Sequence, residues 1–232
     1  MKKKIVALLA GAMLALSTSA MAANLSVGGA FSSINMLHST DGGLTYSSIT
    51  EGAGSIDTSI LNGRQLDYLY CVDIPTVVYA PHDYNNTTIS NDGTIHSNGT
   101  PLTVYNSGKV AYLLENYGVN GQGDQAKALQ AAIWTEIYGA NQYKLNSDAY
   151  TAAGGSNIVS LYDKYVTEAN AYSGPNETSK FQWLSPSISG DATVYQGLVT
   201  SGPVPEPSTI VLLGTGILGL AVFGKHRMIK TA

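Results

Sequence analysis

DQAKALQAAIWTEIYG, residues Asp124 to Gly139, is the stretch from which the rest of the chain is read. On a helical period, Ala126, Leu129, Gln130, Ile133, Trp134 and Ile137 fall at i, i+3, i+4, i+7, i+8 and i+11 and form one apolar stripe. Gln130 lies inside that stripe. An amide among aliphatic and aromatic groups costs on the order of 1–3 kcal/mol unless its donors and acceptor are matched, so the position demands an explanation. The ends of the helix are marked: Gly121 to Gly123 break the chain before an Asp124 N-cap, and Gly139 fits the C′ position.

The second anomaly is Cys71, the single cysteine of the chain, in LDYLYCVDIP. Leu66, Tyr68, Tyr70, Val72 and Ile74 alternate with Asp67, Leu69, Cys71 and Asp73, which predicts a strand that Pro75 ends and that turns Cys71 away from the aromatic face. A lone cysteine forms no internal disulfide. The thiol is therefore incidental, paired with another chain, or engaged in chemistry.

Both ends of the chain read as processing segments. The first 22 residues carry a basic stretch at Lys2 to Lys4, an apolar run from Ile5 to Leu16 and an Ala20-Met21-Ala22 cleavage site, the pattern of an export signal peptide. That run is shorter than the roughly 20 residues a membrane-spanning helix needs. At the other end, residues 204–232 hold Pro205, Glu206 and Pro207, then an apolar run over residues 210–223, then Lys225, Arg227 and Lys230. The basic tail would stay in the cytoplasm and everything before it would lie outside. The mature domain is expected at residues 23–203. Six of the twelve basic residues and one of the sixteen acidic ones sit in the tails, so the domain between them has a formal charge of about −9. Such an acidic surface argues against nucleic acid and anionic lipid as partners.

Within the mature segment, Asn24 to Ile60 is rich in Ser, Thr and Gly with short alternating pieces and an Asp41-Gly42-Gly43 turn signal, which predicts short strands. Tyr68 to Tyr79 is expected to form a longer strand and, after Pro75, a second one; residues 81–100 read as hairpin loops and weak edge strands. Helical spacing begins at Ser107, where Val110, Leu113, Leu114 and Tyr117 share a face ended by Gly118, and a third helix is expected from Asn157 to Tyr172. Strands return at Phe181–Leu184 and Ala192–Val199. This order predicts an α+β fold: a β-sandwich or barrel-like sheet with a small inserted helical lobe, flanked by the signal peptide and a C-terminal transmembrane sorting helix.

The tripartite C-terminus resembles the PEP-CTERM sorting signal of Gram-negative bacteria, with Pro205, Glu206 and Pro207 in place of that family's Pro-Glu-Pro. The resemblance implies an exosortase-type sorting enzyme as partner, transient residence in the inner membrane through the C-terminal helix, and delivery to the cell surface or beyond. A second resemblance joins Tyr70-Cys71-Val72-Asp73 to Leu129-Gln130-Ala131-Ala132-Ile133-Trp134, which together look like the paired signature of thioester domains in bacterial surface adhesins. It extends from about Tyr68 to Tyr138. It departs from that family at Leu129, where many adhesin domains have Thr, and in carrying a Gram-negative type of sorting signal. The resemblance implies that Cys71 is the sulfur donor, Gln130 the acyl donor and Trp134 the aromatic that follows the glutamine by one helical turn; Tyr68, Tyr70, Trp134 and Tyr138 are expected to shield the site from water.

A thioester would resolve both anomalies at once, since condensation removes the thiol proton and the amide nitrogen together. It would close a loop of about 59 residues and, by the chain-entropy account of crosslinks, restrict the unfolded chain by about 4 kcal/mol. The product is an electrophile that a lysine on an amine-bearing protein or polysaccharide surface would open, leaving an amide at residue 130. Glu136, His82 and Asp73 are the candidate bases. This is a bond used once, not an enzyme's turnover. The competing reading is a non-covalent structural component of a biofilm or polysaccharide matrix, in which Gln130 bonds a neighbouring backbone and Cys71 is a small buried apolar residue. No histidine motif supports a cysteine hydrolase, no ligand spacing supports a metal, and no Gly-rich loop supports a nucleotide cofactor.

Overall fold

A computed structural model of the protein describes residues 22–29, 31–97, 100–154 and 156–202. The expected signal peptide and the sorting helix lie outside the described residues, and among those described no helix is long and apolar enough to cross a membrane.

The chain begins with six strands: β1 (Ala23–Val27), β2 (Ser32–His38), β3 (Ser47–Ala53), β4 (Ile60–Leu61), β5 (Arg64–Gln65) and β6 (Tyr70–Cys71). Next come β7 (His82–Ser90), β8 (Thr94–Ser97) and β9 (Thr100–Thr103). A helical stretch follows, with α1 (Ser107–Tyr117), α2 (Asp124–Tyr138), a short β10 (Tyr143–Leu145), α3 (Ser147–Ala152) and α4 (Ser156–Ala171). Strands β11 (Phe181–Ser185) and β12 (Leu198–Ser201) close the described region. The fold mixes helix and sheet as the sequence predicts.

The main sheet has seven strands in the order β5-β4-β1-β7-β11-β12-β6, each antiparallel to its neighbour, and it curls into a half-barrel. The two strands that follow the helices enter the interior of this sheet, between β7 and β6, so the helices form an insertion rather than a separate unit. A second sheet, β10-β2-β3, includes the β2–β3 hairpin whose Asp41-Gly42-Gly43 turn the sequence announces. There, Gly42 and Gly43 adopt φ of 75° and 93°, the left-handed region that glycine enters without strain.

The middle strand of the main sheet corrects the sequence reading. Residues 81–100 are expected to be loops and edge strands, yet His82–Ser90 is β7, paired on both sides. The alternation is hidden by a bulge: Leu25 faces Tyr84 and Ala23 faces Thr87, so β7 spends one extra residue where β1 spends none. Tyr84 and Thr87 point inward and are fully buried. Between them, the Asn86 N–H donates to the Ser187 carbonyl at 3.0 Å and the Asn85 side chain accepts from the Ser189 N–H at 2.8 Å. These polar residues serve the sheet by holding the following loop.

Two other expected strands are shorter than predicted. Tyr68–Tyr79 contributes only Tyr70–Cys71, because Thr76 bonds back to Asp73 and Gln196 donates to the Asp73 carbonyl at 2.7 Å, turning the chain before Pro75. The strand expected at Ala192–Val199 begins only at Leu198; Asp191 instead gathers Thr193 and Tyr195 into a turn.

Helix α2 is enclosed on every side. The sequence shows one stripe, but Ala128, Ala131, Ala132, Thr135 and Glu136 are buried as well, because α1 and α4 cover one side and β2, β3 and β10 another. A helix buried all round needs small residues where neighbours approach closely, and the alanines supply them. Glu136 is tolerated there by Lys109, whose Nζ lies 2.9 Å from its carboxylate.

Burial of tyrosines shapes the pH response of this core. Tyr70 and Tyr138 have hydroxyls pushed well above the ordinary tyrosine value, mainly by burial, and Tyr84 is pushed up to about 12. Folding favours their neutral forms. Their contribution is intact below the unfolded tyrosine pKa of about 10 and is lost as pH climbs from there through the raised values. On a Cys71→Ala background, where no thiol titrates, urea denaturation should give a flat stability between pH 7 and 9 and a steep fall above about pH 10.

Candidate functional site

The site forms where an edge strand lacks a neighbour. β6 ends the seven-stranded sheet, with Tyr70 opposite Val199 and Cys71 opposite Leu198. In an antiparallel ladder the N–H and C=O of one residue point to the same side, and successive residues alternate sides. The Val72 N–H donates to the Gly197 carbonyl at 2.9 Å, so Val72 faces β12 and the polar groups of Cys71 face outward, where no strand lies. They are fully buried and require partners.

Gln130 supplies both. Its Oε1 accepts from the Cys71 N–H at 2.9 Å, and its Nε2 donates to the Cys71 carbonyl at 2.8 Å. The side-chain amide thus takes the place of one residue of a missing strand. This accounts for a glutamine in an apolar stripe: Gln130 is 0 % exposed and Cys71 is 1 % exposed, so neither bond has water as a competitor. It also places the acyl-bearing side chain of α2 on the residue that carries the lone thiol.

The expected shields divide into two groups. Tyr68 and Tyr70 lie on one side, their ring centroids 5.7 Å apart, and the Tyr70 hydroxyl donates to the Val119 carbonyl at 2.7 Å. Tyr68 packs so closely on Gly118 that a Cβ there would meet its ring at 2.7 Å, which explains the glycine that ends α1. Trp134 and Tyr138 follow Gln130 on α2. Trp134 is buried; Tyr138 is half-buried, and its hydroxyl donates to the Asp73 carboxylate at 3.2 Å. In the two-residue strand the side chains of Tyr70 and Cys71 point to opposite faces, as expected, and both faces are buried.

Of the three candidate bases, Asp73 is the one near Cys71 in the chain, two residues on, and its carboxylate accepts from Thr76 and Tyr138. His82 opens β7, which β11 and β12 separate from β6, and its ring packs edge-on against Tyr79 and Tyr84. Glu136 sits about 120° around α2 from Gln130 and is engaged by Lys109. The thiol itself is a poor nucleophile at rest. Burial pushes the Cys71 pKa far up, and the negative charges of Asp73 and Glu51 push in the same direction. Attack by sulfur therefore requires its proton to leave in the same step.

Sequence reasoning missed the Gly118–Val119 segment as part of the site; the Gly118 that stops α1 was its one visible signal. The sorting triad Pro205, Glu206 and Pro207 lies outside the described residues, and sequence comparison speaks for it instead. Residues 203–227 match the PEP-CTERM protein-sorting motif. The match marks an exported protein processed by an exosortase-type sorting enzyme, with a membrane-anchored stage on the way to the cell surface. No curated protein and no solved structure matches the chain.

The edge pairing has a measurable weight. On a Cys71→Ala background, where no bond to sulfur contributes, Gln130→Leu leaves a buried N–H and a buried C=O without partners. Urea denaturation should show a loss of about 3 kcal/mol relative to that background. A loss under 1 kcal/mol would mean that the amide is dispensable to the sheet edge.

Proposed function

We propose that the mature domain is a surface or matrix protein that carries an internal thioester between Cys71 and Gln130 and uses it once to attach covalently to an amine-bearing protein or polysaccharide. The supporting observation is the doubly hydrogen-bonded contact between the Gln130 amide and the backbone of Cys71. Condensation forms the bond from Sγ to the side-chain carbonyl carbon and breaks the bond from that carbon to Nε2; the nitrogen leaves as ammonia with the thiol proton. An incoming amine reverses the roles. Its nitrogen bonds the carbonyl carbon, sulfur departs and takes up a proton, and the thiol reappears. Asp73, two residues from Cys71, is the carboxylate we assign to carry the proton. The resemblance of both motifs to adhesin thioester domains supports the same reading.

A second reading rests on the same bonds. The amide is satisfied as it stands, so the domain would also hold together as a non-covalent component of a biofilm or polysaccharide matrix, with Gln130 purely a strand surrogate. Intact mass separates the two. The thioester form is one ammonia lighter than the sequence predicts, takes up methylamine at residue 130, and gains one alkylatable thiol in doing so; Cys71→Ala and Gln130→Ala lose all three properties. A wild-type protein of full mass that ignores methylamine supports the matrix reading.

Sorting is tested separately. Replacing Pro205, Glu206 and Pro207 with alanine should accumulate precursor that retains its C-terminal tail in the membrane fraction, visible as a larger band on immunoblots. Release at the normal size would show that the triad is not what the sorting enzyme reads.

A further inference from the structure

Trp134 Nε1 is a buried side-chain donor with no hydrogen-bond partner among the described residues. The indole is 1 % exposed, and an orphaned donor at that depth costs about 1–3 kcal/mol. The second tryptophan shows the usual arrangement: Trp183 is equally buried and its Nε1 donates to the Thr178 carbonyl at 3.2 Å. A buried indole left without a partner beside one that is satisfied calls for an explanation.

Its position says which acceptor. Trp134 follows Gln130 by four residues on α2, so the two side chains rise from the same face, with Cβ atoms about 5–6 Å apart. Side chains on a helix lean toward its N-terminus and cover the preceding turn, which for Trp134 is the turn that carries Gln130. In the amide form both polar atoms of Gln130 are directed at the backbone of Cys71. In a thioester the Nε2 donor that helps to hold this orientation is gone, which frees the acyl oxygen to leave the Cys71 N–H for a second donor. We infer that the Trp134 Nε1–H is the hydrogen-bond donor to the acyl oxygen of residue 130, empty while that residue is an amide and filled as the thioester forms or reacts.

This inference rests on the thioester reading and adds a role to it. When Sγ attacks the carbonyl carbon, the electron pair of the C=O bond moves onto oxygen, and the negative charge develops in a site that excludes water. A preplaced donor is then worth far more than in solvent. The intermediate collapses, the C=O bond re-forms and the nitrogen leaves as ammonia. When an amine later attacks, charge develops on the same oxygen and the same donor meets it, before sulfur leaves. The cost of the orphan in the resting amide form lowers the barrier to thioester formation, because the bond exists only after the oxygen has moved; in attack by an amine the bond already present strengthens as charge develops on the oxygen.

Trp134→Phe keeps the ring and deletes the N–H. If the indole is the donor, the change leaves the urea midpoint of the Cys71→Ala protein, in which residue 130 stays an amide and the N–H is unsatisfied, unchanged or higher, and it slows the reaction of the otherwise wild-type variant. Its rate of methylamine incorporation at residue 130 falls roughly 100-fold. Wild-type uptake with an equally fast Trp134→Phe overturns the role of the indole and leaves the thioester standing. A wild-type protein that is at full mass and takes up no methylamine overturns the thioester and this inference together. Should the variant not fold, the indole N–H resonances of tryptophan-labelled wild-type protein decide: one of the two moves downfield relative to Cys71→Ala if the bond forms, and identical positions in the two proteins overturn it.

Discussion

A single side-chain amide completes the edge of the main sheet, and the position of everything around it follows. Strand β6 has two residues, and its outward-facing polar groups are too deeply buried for water to satisfy. Such an edge must be paired or covered. The chain meets this with Gln130, which fixes the depth and rotation of α2 against the half-barrel: a shift of one residue along the helix would turn the amide about 100° away and leave both groups of Cys71 bare. Helix α2 in turn organises the insertion. It carries the Lys109–Glu136 pair that ties it to α1 and a bond between Thr135 and Tyr162, 2.9 Å long, that ties it to α4. The sheet, the helices and the site are one problem with one solution.

The same pairing that stabilises the edge prepares the chemistry proposed for it. Two bonds of opposite sense hold the plane of the amide and leave its carbon no freedom to rotate away from the residue bearing the thiol. A reaction between two side chains is slow chiefly because they must be brought together and oriented, and a fold that already holds one in place meets much of that cost. What remains is a buried thiol with a raised pKa, a carboxylate two residues away, and an indole with an unused N–H. Tyr138 links two of these regions, since its ring is on the helix of the glutamine and its hydroxyl is on Asp73.

The sequence makes the helices legible because their caps and periods are strong. The boundaries of α1, α2 and α4 lie within a residue of the expected ones, and Gly139 takes the positive φ of 85° that its place after α2 implies. The strands were harder for identifiable reasons. A bulge breaks the period of two in β7, and asparagines that bind a neighbouring loop make a central strand look like a surface one. The full burial of α2 is invisible in a binary pattern, because alanine reads as neutral whether it faces water or another helix. Cys71 and Gln130 stood out as two separate anomalies; that the amide would bond the cysteine's own backbone follows only from β6 being an edge, which is a property of the whole sheet. The orphaned indole has no sequence signature at all, since its meaning lies in what it does not touch.

The order of the strands also bears on how the domain is held at the envelope. Strand β12 ends at Ser201, and the sorting motif begins two residues later. A tether that leaves from an edge strand opens a sheet by breaking one ladder at a time. Here the last strand is internal, bonded to β11 on one side and to β6 on the other. Pulling on it must break two ladders together, and one of them is the ladder that positions Cys71. The helical insertion makes this possible: by delaying β11 and β12 until the rest of the sheet has been laid down in the chain, it lets the strand nearest the anchor be enclosed by earlier ones. The strand that leads into the sorting motif and the proposed reactive residue thus become neighbours in the sheet although about 130 residues separate them in the chain.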